Sequence, residues 1–497
     1  MADRGMATGG RGLTEGDVAD TAPDWTDAGA ARGRTSHASR ARRFVADAAR
    51  TTWHDASLWG VRAKRDAAAA QVPDWETLRE DAASTKRDAL ARLPELWRRF
   101  EERASAAGAQ VHWARDAREH NEIVARLLRD RHVSRVVKSK SMLTEECGLN
   151  PFLEARGIEV VDTDLGERIV QLRHEPPSHI VMPAIHLRRQ EVGALFAREM
   201  GSAPGLEDPD ALTAVARRDL RGRFLAAEAG ITGVNFAVAE SGAIVVVTNE
   251  GNADLGTALP PLHIACVGLE KIVPETRDLA PLLRLLARSA TGQAITTYTS
   301  HFRGPRPLPG SELHVVVVDN GRSRLLARPD FEEALACIRC GACLNTCPVY
   351  RRSGGHSYAT TVPGPIGSVL APARDPGAHA DLPRACSLCG SCSEVCPVKV
   401  PLHRQLLAWR GVLADEGHVP RHRRAALAFL SALMLRPTTY HVLARVARSL
   451  ARRLPAPILD RLAAPWTRTR ALPPIPAQSF REQMRARRRR REQEHRP

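Results

Sequence analysis

Two kinds of apolar pattern divide the chain. From Ala41 to about Ala107, small and apolar residues return at helical spacing. Trp75, Leu78, Ala82 and Thr85 lead into Leu90, Leu93, Leu96 and Trp97, with charge filling the other face. Gly108 is the expected C-cap of that stretch. Beyond it, short β-branched runs take over at Val133–Val137, Ile158–Val161, Ile180–Met182, Ile244–Val247, Ile264–Val267 and His314–Val318. Helical stretches such as Glu191–Glu199 and Leu212–Ala229 fall between several of them. Strands alternating with helices predict an α/β layer with a largely parallel sheet.

These patterns set the expected domains. Residues 1–40 lack apolar periodicity and are expected to be disordered. Residues 41–109 form a helical N-terminal region, 110–325 the α/β domain, 326–406 a Cys-rich module, and 407–497 a helical C-terminal region. Pro437, Pro455, Pro457, Pro465 and the run Pro473-Pro474-Ile475-Pro476 interrupt that last region, and a polar helix is expected near Ser479.

Composition narrows the picture. A hydrophobic fraction of 43% in 497 residues suits a globular chain of about three domains. The formal charge of +16 is carried mainly by Arg, which would attract nucleic acid, acidic lipid or an acidic protein. The run from Arg485 to Arg491 reads first as a solvated tail. Nucleic-acid binding lacks the interleaving of aromatic and basic residues that would support it. No N-terminal stretch reads as a secretory leader. The most apolar segment, Ala425–Leu435, is far short of the roughly 20 residues a membrane span needs. The expectation is a cytoplasmic protein, or one peripheral to the inner face of the membrane.

The cysteines carry the chemistry. Eight of the ten fall in two copies of one spacing, Cys337-x₂-Cys340-x₂-Cys343-x₃-Cys347-Pro348 and Cys386-x₂-Cys389-x₂-Cys392-x₃-Cys396-Pro397. This is the run of bacterial two-cluster ferredoxins. Three thiolates at such spacing wrap three corners of a cubane if the backbone curls tightly, and Gly341 and Gly390 permit the curl. The fourth thiolate, fixed by the following proline, points to the other cluster. Cys337, Cys340, Cys343 and Cys396 are therefore the expected ligands of one [4Fe–4S] cluster, and Cys386, Cys389, Cys392 and Cys347 of the other. Zinc sites more often pair two C-x₂-C units across a loop, and disulfide frameworks suit small secreted chains. The long spacer between the motifs, with Gly354-Gly355 and Pro363-Gly364-Pro365-Ile366-Gly367, predicts a helical ferredoxin module. Cys147 and Cys266 stand alone in apolar surroundings, as buried free thiols do.

Several further segments resemble the lactate-utilisation protein B family, iron–sulfur proteins with a LUD domain found in bacterial L-lactate oxidation operons. They include Val137-Lys138-Ser139-Lys140-Ser141-Met142-Leu143-Thr144-Glu145-Glu146, Pro177-Ser178-His179-Ile180, and Gly233-Val234-Asn235-Phe236-Ala237-Val238-Ala239-Glu240-Ser241-Gly242. Asn249-Glu250-Gly251-Asn252, Asp319-Asn320-Gly321-Arg322 and Ser479-Phe480-Arg481-Glu482 extend the match, which covers about residues 41–484. Cys147 and Ser241 depart from the family pattern, where an aliphatic residue and threonine are usual. The resemblance implies an α/β LUD fold akin to sugar-phosphate isomerases and coenzyme A transferases, joined to an α-helical module with two [4Fe–4S] clusters. It further implies an electron-transfer subunit of a complex oxidising L-lactate to pyruvate. The partners implied are a cysteine-rich-domain subunit and a second LUD-domain protein, with the electron acceptor unassigned.

The alternative is a catalytic LUD domain acting on a carboxylate or acyl compound, with the clusters auxiliary. Glu240, before the small turn Ser241-Gly242, is its candidate nucleophile, although a plain strand turn explains the same residues. Lys138 and Lys140 follow a predicted strand, where open α/β sheets gather ligands. Lys140, Glu145 and Asn235 are candidate anion-site residues there, against the reading of a solvated loop edge. His186 and His263 read as structural histidines. No H-E-x-x-H, G-x-S-x-G, Walker or G-x-G-x-x-G motif occurs, so metalloprotease, serine hydrolase, NTPase and Rossmann readings lack support.

Overall fold

The computed structural model describes residues 36–467 and 472–494. Most of the N-terminal extension, residues 1–35, therefore lies outside the described residues. The chain divides into two compact units at Glu416/Gly417.

The first unit begins with four helices, α1 His37–Ala46, α2 Ala48–Ala70, α3 Trp75–Ala91 and α4 Leu93–Ala106. Most of the periodic positions are buried: Leu78, Ala82, Leu90, Leu93, Leu96 and Trp97 are inside, while Trp75 and Thr85 are half-buried. Gly108 takes the left-handed conformation (φ +90°) just past α4, and its N–H donates to the Ser105 carbonyl at 2.9 Å.

Ten strands follow: β1 Gln110–Ala114, β2 Arg135–Lys138, β3 Glu159–Asp162, β4 Ala229–Gly233, β5 Phe236–Val238, β6 Ala243–Thr248, β7 Leu262–Gly268, β8 Ile272–Val273, β9 Tyr298–Phe302 and β10 Glu312–Val318. Six form a sheet in the order β1-β10-β7-β4-β2-β3, with every pair parallel. The interior strands β7 and β10 are almost wholly buried, which accounts for their unbroken apolar runs. The other four form a sheet β8-β5-β6-β9, in which β5 and β6 make a hairpin through Ser241-Gly242. Gly242 is left-handed (φ +71°), and a Cβ there would lie 2.3 Å from the Ala104 backbone nitrogen, so α4 seats directly on this turn.

Two expected elements differ. Ile180–Met182 is not a strand but part of a turn between Pro177 and Pro183. The N–H groups of Val181 and Met182 donate to His179 Nδ1 at 3.0 and 3.1 Å, so a ring nitrogen takes the donors a sheet would have used. The helix expected at Leu212–Ala229 runs instead over Pro209–Ala226, because Ala229 pairs in the sheet with Val136 and Leu262.

After β10 the described residues contain helices and turns only. Short helices at Ala342–Thr346, Pro348–Ser353, Gly364–Arg374 and Ser391–Glu394 precede a longer one at Leu402–Asp415. The N-terminal helices clasp this region. Arg65 of α2 donates to the Val395 carbonyl at 3.2 Å, and Arg79 of α3 donates to the carbonyls of Glu394 (2.7 Å) and Cys396 (2.8 Å).

The second unit consists of helices at Arg421–Met434, Pro437–Arg453, Ala456–Thr467 and Phe480–Glu494. The last starts one residue after Ser479 and contains the run from Arg485 to Arg491. Nineteen arginines against four acidic residues give Gly417–Pro497 a net +15, nearly the whole of the chain's +16. Among the described residues, no helix is long and apolar enough to cross a membrane.

Candidate metal centre and the cavity beside it

Both cysteine motifs repeat one backbone device. Arg339 and Leu388, the second residue between the first two cysteines of each motif, are left-handed (φ +61° and +56°), as are Gly341 and Gly390 (φ +79° and +81°). Two such reversals within three residues curl each loop inward. At Gly341 a side chain would also press on His179 and Val181 at 3.1 Å.

The thiols converge across the motifs. An apolar pocket is lined by Cys337, Cys340, Cys343 and Cys396, with Ile180, Ile338, Ile366, Val398, Val400 and Leu402 as its walls. Cys347 in turn lies within electrostatic reach of Cys386 and Cys389, and Cys392 within reach of Cys347, Cys386 and Cys389. Cys343 also feels Cys392, so the two sets are near neighbours. Cys389 is exposed, whereas Cys340, Cys343 and Cys396 are buried.

The residues present suit an iron–sulfur group. Burial, with Cys337 adding repulsion, pushes the Cys396 thiol up to about 11, and burial pushes Cys347 to about 11 as well. Four thiolates in one apolar pocket therefore need a cationic core to hold them. Backbone donors already point at the sulfurs. The N–H groups of Arg339, Leu388 and Val400 lie 3.4, 3.3 and 3.3 Å from the Sγ atoms of Cys337, Cys386 and Cys396, and that of Tyr350 lies 3.5 Å from Cys347 Sγ. Such donors stabilise a ligated thiolate and tune its centre. All ten cysteines are unpaired as disulfides.

Against this pocket lies a cavity of about 300 Å³, with Cys340 and Ile180 in the walls of both. Its floor comes from the segments that leave the carboxyl ends of four parallel strands: Ser139–Ser141 after β2, Val234 and Asn235 after β4, Glu270 and Lys271 after β7, and Arg322 after β10. That is where open α/β sheets bind ligands. Arg322 donates to Glu270 Oε2 at 2.5 Å and to Glu146 Oε2 at 2.9 Å, and Arg339 lies 3.6 Å from Glu270 and 3.8 Å from Glu146. Burial alone would raise the Glu270 carboxyl, but Arg322, then Lys271 and Arg339, hold it well below the usual carboxylate range. A Cβ on Gly268 would lie 2.3 Å from the Glu270 carboxylate, so only glycine leaves room for this pair.

The candidate anion residues separate. Lys140 and Asn235 line the cavity, with Lys140 donating to Asp164 at 3.1 Å and to the Val181 carbonyl at 2.9 Å. Lys138 and Glu145 do not line it. Lys138 is fully buried behind β2, 2.7 Å from Asp162, 3.0 Å from Glu145 and 3.7 Å from Glu167. Those three carboxylates are grouped as a cation site would be, and the Lys138 ammonium itself supplies the charge. Spacing alone did not single out Glu270, Lys271, Arg322 or Arg339 as a group, because single charged residues after separate strands form no motif.

Glu240 is exposed, away from the cavity, and accepts from Thr276 N and Oγ1 at 3.0 Å each. His186 is held between Ser178 Oγ and Glu175, each at 2.9 Å. His263 is hydrogen-bonded to Thr232 at 2.8 Å, and burial pulls it down to about 3. Cys147 and Cys266 are both buried, and Ser241 Oγ accepts from Ala243 N at 3.3 Å.

A parallel α/β domain whose ligand crevice abuts a doubled cysteine module defines a class, the LUD-domain iron–sulfur proteins. The LUD domain family matches residues 97–340, and the 4Fe-4S dicluster domain family matches residues 333–400. The chain is 41% identical to lactate utilization protein B of Shouchella clausii, over 86% of this chain and 92% of that one. It is 44% identical to lactate utilization protein B of Macrococcus caseolyticus, over 70% of this chain and 73% of the relative. An uncharacterized electron transport protein of Escherichia coli, YkgF, is 39% identical over 85% and 90%. The chain belongs to the lactate utilization protein B family.

Proposed function

We propose that this chain is the electron-transfer subunit of a complex that oxidises L-lactate to pyruvate, and that it holds two [4Fe–4S] clusters. The observation that carries the reading is the order of the thiols. The set containing Cys340 shares a wall with the LUD cavity, and the set containing Cys389 reaches the surface. Bound clusters would supply one-electron carriers at both places. Cys337, Cys340, Cys343 and Cys396 would hold the inner one, in walls of Ile, Val and Leu that exclude water. Cys347, Cys386, Cys389 and Cys392 would hold the outer one, where a partner reaches it. The names of the relatives support the lactate and electron-transport assignments. On this reading the chain is a non-catalytic subunit, and a cysteine-rich-domain subunit and a second LUD-domain protein complete the complex. Protein purified without oxygen should be brown and hold roughly eight iron atoms, four per cubane. It should be reduced by L-lactate once those two companions are added. A colourless protein with stoichiometric zinc would overturn the reading.

The basic C-terminal unit supports a position on the anionic inner face of a membrane. In the helix Pro437–Arg453, Tyr440, Leu443, Val446 and Leu450 are exposed at helical spacing, and Arg445, Arg448, Arg452 and Arg453 lie among them. Apolar side chains beside arginines suit the headgroup boundary, where each basic residue contributes about 1 kcal/mol. The full chain should sediment with phosphatidylglycerol vesicles and release at high salt. Equal sedimentation with neutral phosphatidylcholine vesicles would reject this placement.

A further inference from the structure

We infer that Lys86, with Lys271 beside it, is a counter-charge built for the inner iron–sulfur cluster and holds that cluster's reduction potential up. The inference rests on the cluster content proposed above and deepens it by naming the residues that tune the inner carrier.

Lys86 belongs to α3 and is 1% exposed. The helix packs on Glu332–Ala336, the turn that leads straight into Cys337, and on β8. The Lys86 ammonium donates to the carbonyls of Glu270 and Ile272, the latter at 3.4 Å. Among the described residues, no carboxylate comes within ion-pair distance of it. Two carbonyls do not neutralise a buried unit charge. The Glu270 carboxylate acts on Lys86 from further off and is already engaged, by Arg322 at 2.5 Å and Arg339 at 3.6 Å. Burial, with Lys271 adding repulsion, pulls the Lys86 ammonium down to about 7, and Glu270 and Cys337 oppose that pull.

The charges around it point the same way. Lys140 is balanced by Asp164 and Glu250. Lys86, Lys271, Arg322 and Arg339 then share Glu146 and Glu270, four cations to two carboxylates. Three of the four, Lys86, Lys271 and Arg339, also feel the Cys337 sulfur, so the positive surplus faces a ligand of the inner set. A core held by Cys337, Cys340, Cys343 and Cys396 supplies the missing negative charge, because four thiolates outweigh it. Reduction adds one electron and makes the set one unit more negative, with no bond or proton moved. The electron comes from lactate on the reading above, and from dithionite in the test below. A buried ammonium stabilises the reduced set more than the oxidised one, and walls of Ile, Val and Leu leave little water to screen it. At the outer set Arg410 donates to the Cys386 carbonyl at 2.7 Å, but Cys389 is open to solvent, which weakens any such effect.

The test uses the full chain purified without oxygen, reduced stepwise with dithionite and followed by electron paramagnetic resonance. The inner signal is the one that Cys337→Ser alters. Lys86→Gln keeps a donor for the two carbonyls and loses the charge. It should make reduction of the inner centre roughly tenfold less favourable, about 59 mV for one electron, at unchanged iron content and unchanged outer potential. Lys86→Arg keeps the charge and should stay near wild type. Lys271→Gln should shift the inner centre in the same direction, and it carries the test should Lys86→Gln fold poorly. An inner potential unmoved in both Gln variants would overturn the inference, and so would equal shifts of the two centres. A shift as large in Lys86→Arg would also overturn it, since that marks a packing effect. Wild-type protein with no inner centre to titrate would sink the proposed function together with the inference, whereas an unmoved potential in protein holding both centres sinks the inference alone.

Discussion

Cys396→Ser and Cys337→Ser are expected to damage the same iron–sulfur centre, although the two residues belong to different motifs. Cys396 shares a pocket with Cys337, Cys340 and Cys343, and its thiol is raised by Cys337 after burial itself. Pro397 and the Val400 N–H, 3.3 Å from its sulfur, fix the direction in which that sulfur points. Cys347 is placed the same way relative to Cys386 and Cys389. Losing one thiolate of four should leave a three-iron remnant, which electron paramagnetic resonance separates from an intact cubane. Each single variant and the double variant should show one damaged centre, with the centre at Cys386, Cys389 and Cys392 unchanged. Two damaged centres in the double variant would mean that each motif closes on its own cluster, and the crossed ligand set would be wrong.

The parts of this molecule that sequence revealed are the parts written locally. Strands β2, β3, β6, β7 and β10 announce themselves by β-branched runs because both of their faces pack. The edge strands β1 and β9 alternate or mix polar and apolar residues and lie half in solvent, so they carry no such run. Strand β4 is hidden for another reason. Gly230 is there because a Cβ would lie 1.8 Å from the Gly256 carbonyl, so close packing has replaced the residues that signal a strand. The cysteine spacing was fully legible, since a cluster-binding loop is a local object. The cavity was not, because Ser139, Asn235, Lys271, Arg322 and Cys340 meet only after four parallel strands align. The pair Lys138 and Lys140 illustrates the limit: two residues apart, they would share a face of a continuous strand, but β2 ends at Lys138, and Lys140, in the loop beyond it, turns to the cavity while Lys138 is buried against Asp162.

Lys138→Met should cost the first unit about 3–5 kcal/mol, the usual result of removing one partner from a buried ion network. Lys138 is 0% exposed at the end of β2, where pairing with β3 sets it opposite Asp162. Burial opposes its charge, yet Asp162, then Glu145 and Glu167, keep its ammonium protonated well above the ordinary lysine range. Glu167 shows the converse. Burial, opposed by Lys138 but reinforced by Asp162 and Glu145, raises it well above the usual carboxylate value. Without Lys138 the three carboxylates would be buried without its counter-charge, and the Glu145 and Glu167 carboxyls, already raised, would rise further. A carboxylate raised on folding binds more protons in the native than in the unfolded state, so its effect on stability worsens as pH climbs from the unfolded value through the folded one. The gap in melting temperature between wild type and Lys138→Met should therefore be several degrees at pH 8 and should narrow toward pH 5. Adding Asp162→Asn, which removes one of the stranded charges, should restore part of the loss at pH 8. Equal melting of wild type and Lys138→Met at both pH values would show that the ammonium does not hold this corner of the sheet together.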